Sequence, residues 1–234
     1  MIKNSIILCT HNEGKYIKET ILSLKEKIED LEIIIIDDNS NDNTLEEIEK
    51  LKISINIKLI IRKKTSGLGS AFLRGIIESI GENVGWIDAN MGEVSDKFQT
   101  MITALEQNDI VILSRYTEGG GDKRELIRIY CSKAINLLCR LVLSNKIRDF
   151  TSSIFIMKRK VLNETSFLGY GHGDFFIEFL YHALKKNFKI KEIPYIQNQD
   201  KDLNNSKTAS NILLFFYNGL FYIIRILITR LRRN

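Results

Sequence analysis

Residues 33–36 are four consecutive isoleucines, and they run directly into Asp37 and Asp38. A strand that is apolar at every position has no face for water, and four residues are too few for a helix. Such a run belongs in a parallel sheet with helices on both faces. The first half of the chain repeats this pattern. Ser5–Cys9, Ile55–Ile61, Val84–Asp88 and Asp109–Leu113 read as further strands. Between them lie Glu13–Ile28, with Ile17, Ile21, Leu24 and Ile28 at helical spacing, then Asp42–Leu51, Gly67–Ile80 and a stretch near Ser95–Glu106. Strand–helix alternation of this kind predicts an α/β fold with a mixed, mostly parallel sheet. Ligands of such sheets bind beyond the carboxyl ends of the strands. Thr10–Glu13, Asp37–Ser40 and Asp88–Asn90 stand at those ends and are expected to meet along one rim.

The second half is less regular. Lys123–Leu143 reads as a helix with apolar Ile127, Cys131, Ala134, Leu138 and Leu141. A second ridge of it is polar at four-residue steps: Arg124, Arg128, Ser132, Asn136 and Arg140. Ile154–Met157 and Lys189–Ile193 read as strands, Asp174–Lys186 as a helix, and Gln197–Lys207 as a polar loop. Ile212–Ile228 is apolar except at Asn218 and Arg225, and Arg225, Arg230, Arg232 and Arg233 crowd the end. A length of 234 residues suits one sizeable domain, so residues 1–207 are read as the main α/β domain and 208–234 as an appended apolar and basic helix. The net charge of +5 carries no basic stripe with interleaved aromatics, which argues against nucleic acid as a partner. Cys9, Cys131 and Cys139 lack metal-ligand spacing and fit a reduced, intracellular protein. The apolar N-terminal run is too short for a signal peptide.

The pieces IILCTHNEGKYI, IIIIDDNSNDNT, RKKTSGLGSAFLRGI, DANMGE, SRYTEGGG and RDFTSSIFIM follow one another in an order that resembles the family-2 glycosyltransferases of GT-A fold. The branch they are most similar to is that of the dolichol-phosphate mannose synthases and other polyprenyl-phosphate glycosyltransferases. By this resemblance Thr10, His11 and Glu13 belong to the loop that cradles a nucleotide. Asp38 is the principal nucleotide contact, with Asp37 beside it, and Ala89 and Lys201 complete the donor site. The glycines at 67 and 69 open a helix and are not expected to be direct ligands.

The family places an aspartate on each side of the alanine in DAN. Asp88 keeps the first and Asn90 replaces the second with a neutral amide. The resemblance implies Mg²⁺ or Mn²⁺, which take hard oxygen ligands, at Asp88 and Asn90, with Glu93 supplying the missing charge. Arg115, Arg128 and Ser132 match the residues that face phosphate. Arg128 and Ser132 share a helix face at i, i+4, and a guanidinium suits phosphate. Asp149, Thr151 and Ser153 also match. The arginine expected after Pro194 is missing, and Lys201 stands in for it.

The implied activity is inverting transfer of a sugar, from a GDP-mannose or UDP-sugar donor, to a polyprenyl (dolichyl-type) phosphate. Asp88, Arg115, Arg128 and Ser132 would carry it. Two rivals stay open: the same fold with a glycan or lipid head group as acceptor, and a catalytically silent nucleotide-sugar binder. Asn90 and the absent arginine speak for the second. Ile212–Ile228 is short for a spanning helix. It is expected to lie in the surface of the inner membrane face, making the protein cytoplasmic and peripheral; packing on the domain, in a homodimer or against a membrane partner is the alternative.

Overall fold

The computed structural model describes residues 2–165, 167–171, 173–199 and 212–232. β1 (Asn4–Thr10), β2 (Leu31–Asp37) and β3 (Ile57–Ile61) are parallel neighbours joined by α1 (Ile17–Lys27) and α2 (Thr44–Leu51). After α3 (Leu68–Glu78) the chain crosses back to lay β4 (Asn83–Trp86) parallel on the other side of β1. α4 (Asp96–Ala104) leads to β5 (Ile110–Ser114). β6 (Gly121–Asp122) and α5 (Leu126–Val142) follow. β7 (Phe155–Lys158) then fills the place between β4 and β5, antiparallel to both. After α6 (Asp174–Lys185), β8 (Ile190–Pro194) closes the edge parallel to β5, and β9 (Ile196–Gln197) pairs with β6 in a separate ribbon. α7 (Ile212–Leu231) ends the chain. The main sheet therefore runs β3-β2-β1-β4-β7-β5-β8, the mixed, mostly parallel arrangement expected. The β6–β9 ribbon was not foreseen, since two-residue strands leave no periodicity to read.

The isoleucine run explains why the sheet is covered on both faces. Ile33–Ile36 pair with Ile6–Cys9 on one side and Ile57–Ile60 on the other, and all four are fully buried. Side chains alternate across a strand. Ile34 and Ile36 enter a core with Phe72, Trp86, Phe155 and the phenylalanines of α6, while Ile33 and Ile35 enter a second core with α1, α2 and α4. The first is strongly aromatic: Phe72 stacks on Trp86 at 4.5 Å and Phe167 on Phe179 at 3.9 Å. Gly75 is what lets α3 lie against β1, because a Cβ there would fall 2.5 Å from the Ile7 Cγ2 methyl.

Two helices depart from expectation. An amphipathic helix ordinarily buries its apolar stripe, but α5 buries part of its polar ridge. Asn136 is 3% exposed, while Leu126, Tyr130 and Leu141 are 70%, 67% and 76% exposed. The reason is local: Asn136 donates to the Thr151 hydroxyl (2.8 Å) and accepts from the Phe150 amide (2.6 Å), so the polar ridge is held against the 149–151 loop.

α7 packs on α6 and α5 through Ile226 and Thr229, both fully buried. Arg225 does not join the outward basic tail that the sequence suggests, while Arg230 and Arg232 are exposed. Arg225 is 7% exposed and donates to Asp174 (2.9 Å), Glu178 (3.1 Å) and the Tyr170 hydroxyl (3.2 Å). Arg232 reaches Glu178 at 2.7 Å, and Arg230 the Tyr181 hydroxyl at 3.1 Å. Arg233 lies outside the described residues. Buried carboxylates on α6 need counter-charges, and α7 supplies them. Among the described residues no helix is long and apolar enough to cross a membrane.

Removing one member of a buried charge cluster leaves the others uncompensated, at a cost of about 3–5 kcal/mol. Arg225→Ala is expected to lower the unfolding free energy by about that much in urea titration. Arg230→Ala, which loses one hydrogen bond, should cost about 1 kcal/mol. Equal effects of the two would show that the Asp174–Arg225–Glu178 cluster does not fasten α7.

Candidate active site

The strand order reverses between β1 and β4, and the crevice beyond their carboxyl ends is where such sheets take ligands. Asp38 follows β2 on one side of it and Asp88 follows β4 on the other. Both raise the pKa of the Cys9 thiol, after burial as the larger cause, so the two carboxylates share one neighbourhood.

Asp37 and Asp38 have different fates. Asp37 is fully buried and accepts from the Thr10 hydroxyl (2.7 Å), the Ser40 amide (2.8 Å) and the Ser40 hydroxyl (2.6 Å). Thr10 and Asp37 thus tie the ends of β1 and β2 together at the nucleotide rim. Asp38 points the other way. Its carboxylate accepts from Arg62 Nε (2.7 Å) and from the Gly67 amide (2.8 Å). The Gly67 N–H is therefore spent on Asp38. Arg62 also donates to Ser70 (2.8 Å) and the Gly67 carbonyl (3.0 Å). Nothing in the sequence singled out Arg62, because its role exists only once β3 and α3 flank β2. His11 is exposed and its Nδ1–H donates to the Asp38 carbonyl at 2.9 Å. The Glu13 amide donates to the Thr44 hydroxyl at 2.8 Å, docking this loop on α2. Lys201 lies outside the described residues.

Asp88 sits two residues past β4 and accepts from the Ser153 hydroxyl at 2.9 Å. Burial pushes its pKa up, and the Ser153 hydrogen bond offsets part of that. A carboxylate held this way gains from a cation beside it. The Ala89 carbonyl accepts from Thr20 at 2.7 Å, which anchors the Asp88–Asn90 turn to α1. Asn90 is half-buried and Glu93 exposed. Asp88, Asn90 and Glu93 offer the hard oxygens that Mg²⁺ and Mn²⁺ take. Among the described residues no three His, Cys, Asp or Glu side chains gather to hold an ion by themselves.

Arg115, Asp149, Thr151, Ser132 and Asn136 form the far side. Arg115 is buried, and its Nε and Nη2 meet both oxygens of Asp149 at 2.8 and 2.7 Å. It also reaches Thr151 (2.7 Å) and Gln197 (3.2 Å). Its charge is matched by Asp149 in an internal ion pair. Ser132 faces Thr151 at 3.4 Å and also bonds the Tyr116 phenol, whose pKa is nonetheless raised, chiefly by burial. Arg128 lies one turn before Ser132. Burial, and then Arg124 beside it, disfavour its positive charge. Tyr222 of α7 packs against the aromatic core. Its phenol is pushed up by burial and feels the charges of Asp174, Arg115, Arg124 and Asp88. The sequence marked Tyr222 only as part of an apolar run.

The sheet order, the helices on both faces and the carboxylates flanking the switch point define the GT-A class of nucleotide-sugar transferases. The family model for glycosyl transferase family 2 matches residues 5–166, and the chain belongs to that family. A dolichol-phosphate mannosyltransferase of Pyrococcus furiosus is 32% identical over 168 residues, covering 69% of this chain and 47% of that protein. The Saccharomyces cerevisiae dolichol-phosphate mannosyltransferase is 26% identical over 170 residues, covering 69% and 62%. The chain thus spans about half of the first of these relatives and under two thirds of the second. In fold it is similar to glucosyl-3-phosphoglycerate synthase of Mycobacterium tuberculosis in complex with UDP (TM-score 0.75, 14% identity, 99% of this chain and 81% of that one). That synthase with Mn²⁺, UDP and glucosyl-3-phosphoglycerate gives a TM-score of 0.72 at 16% identity, covering 99% and 81%.

Scaffold and ligand-facing residues should separate in stability measurements. Asp149→Ala strands the Arg115 charge and is expected to cost about 3–5 kcal/mol. Ser132→Ala should cost about 1 kcal/mol or less. Chemical denaturation of both variants checks this, and a Ser132 loss as large as that of Asp149 would make Ser132 part of the scaffold.

Proposed function

We propose that this protein is an inverting glycosyltransferase that moves a sugar from a nucleoside diphosphate donor, a GDP-mannose or UDP-sugar, to a polyprenyl phosphate at the cytoplasmic face of a membrane. The observation that carries the reading is Arg128. It stands on α5 one turn before Ser132, and its charge is disfavoured by burial and then by Arg124, with Glu125 and Asp122 offsetting part of that. An arriving phosphate dianion relieves both penalties. The dolichol-phosphate mannosyltransferase relatives support the same acceptor class.

In this reading the acceptor phosphate is already ionised and needs no general base. Its oxygen forms a bond to the anomeric carbon. The bond from that carbon to the diphosphate breaks, and the nucleoside diphosphate leaves with the electron pair. Arg128 and Ser132 hold the attacking phosphate in line, so most of the rate comes from positioning. A divalent cation at Asp88 and Asn90 would supply positive charge to the leaving diphosphate. Asp38 and the 10–13 loop bound the nucleotide crevice, and Arg115 acts through Asp149 and Thr151 by fixing the loop beside Ser132. The reading also covers the surface. α5 and α7 turn apolar side chains outward, Phe221, Leu227 and Ile228 among those of α7. They suit a peripheral protein lying on the bilayer that holds its acceptor.

A second reading, a silent nucleotide-sugar binder, draws on Asn90. Transfer of labelled sugar to polyprenyl phosphate, run beside donor binding, decides between them. Arg128→Ala is expected to raise the KM for polyprenyl phosphate about ten- to hundredfold while donor affinity stays unchanged. A collapse of donor affinity instead would assign Arg128 to the donor diphosphate. Asp88→Ala should nearly abolish turnover, and Asn90→Asp should lower the metal concentration for half-maximal rate, because it restores a full charge to the ligand shell. Unchanged activity in excess chelator would overturn the metal part. Donor binding without turnover at any metal concentration, unrescued by Asn90→Asp, would establish the silent binder.

A further inference from the structure

Between α5 and the 115–122 loop lies a cavity of about 530 Å³. Two of its charged lining residues are already matched, Arg115 by Asp149 and Asp122 by Arg124 at 2.7 Å. The other three are cations: Lys133, Arg140 and Arg148. All three are exposed, and among the described residues none makes an ion pair. Arg128 and Ser132 do not line this cavity, but Arg115, Tyr116 and Asn136 do, so it adjoins the acceptor position argued above and opens on its far side. Three unmatched cations around one concavity concentrate positive potential and favour a phosphate oxyanion.

The neighbouring surface tells which phosphate. Leu137, 55% exposed, lines the cavity and also belongs to the outward ridge that includes Leu126, Tyr130 and Leu141. A soluble phosphate would leave that ridge in water. A lipid covers the ridge with its chains and the cations with its head group. Arg225 is buried against α6, and the exposed Arg230 and Arg232 are held by Tyr181 and Glu178, whereas among the described residues Lys133, Arg140 and Arg148 make no ion pair.

We propose that the cavity between α5 and the 115–122 loop is a second anion site, in which Lys133, Arg140 and Arg148 hold the phosphate of an anionic membrane lipid while the outward ridge of α5 enters the bilayer. The site orients the protein on the membrane and rests on the transferase reading only for the benefit of that orientation. Basic side chains near an anionic leaflet each strengthen binding, and three together correspond to about a hundredfold.

The test is flotation of the full chain with phosphatidylcholine vesicles and with vesicles that also carry phosphatidylglycerol. The wild-type protein should bind the anionic vesicles more tightly than the neutral ones. The triple variant Lys133→Gln, Arg140→Gln, Arg148→Gln should lose about a hundredfold in partition to anionic vesicles and keep its binding to neutral ones. A control triple, Lys18→Gln, Lys25→Gln, Lys97→Gln, removes the same charge from α1 and α4 and should change little. Equal losses in the two triples, or no loss in the first, would overturn the site. Inorganic phosphate is the soluble arm: if it protects the cavity cations from chemical modification as well as anionic vesicles do, the lipid assignment falls. Melting temperatures and donor binding of both triples are measured alongside and should match the wild type; a first triple that loses either is replaced by the single changes, each expected to lose part of the anionic preference. Absent sugar transfer with the vesicle difference intact would sink the transferase reading and leave this site standing.

Discussion

Asp149 has no exposed surface, and its one carboxylate sets the positions of several segments. It accepts from the Arg115 amide and from both sides of the Arg115 guanidinium. It also accepts from the amide and hydroxyl of Thr151. A buried ion pair is a weak source of net stability, since desolvation opposes the attraction. Its consequence here is placement. Arg115 reaches on to Gln197 of β9, and Thr151 receives Asn136 of α5. The end of β5, the entry to β7, the β9 ribbon and α5 are thereby registered against one another.

The orientation of α5 follows from that cluster. Once Asn136 is committed to Phe150 and Thr151, the helix cannot also bury Leu126, Tyr130, Leu137 and Leu141. Apolar side chains are left outside because polar ones found better partners inside. α7 shows the same exchange from the other direction. Arg225 and Arg232 answer the carboxylates of Asp174 and Glu178, while Phe221, Leu227 and Ile228 face out. Exposed apolar side chains on neighbouring helices are the expected form of a membrane-facing or partner-facing patch.

At the nucleotide rim the deciding constraint is strand geometry. Consecutive side chains leave a strand in opposite directions. Asp37 therefore turns into the junction of β1 and β2, where Thr10 and Ser40 enclose it, and Asp38 turns towards Arg62 and the start of α3. Two adjacent carboxylates that look equivalent along the chain serve as a clamp and as part of the crevice wall.

Much of this was legible before any coordinates. Apolar strands and 3.6-residue periodicity are local properties of a chain, so the sheet, its covered faces and every helix could be placed to within a few residues. The position of Asp88 and Asp38 at strand ends and the i, i+4 relation of Arg128 and Ser132 follow from the same local rules. What a charged side chain does when several compete for one another is not local. That Arg115 is spent on Asp149, Arg62 on Asp38 and Arg225 on Asp174 depended on which strands became neighbours and which helix lay over α6. The sequence by itself determined the architecture and the rim on which the polar residues gather. Only the tertiary structure decided which of them are consumed in holding that rim and which face of α5 meets the outside, because pairing of buried charges is settled by three-dimensional proximity.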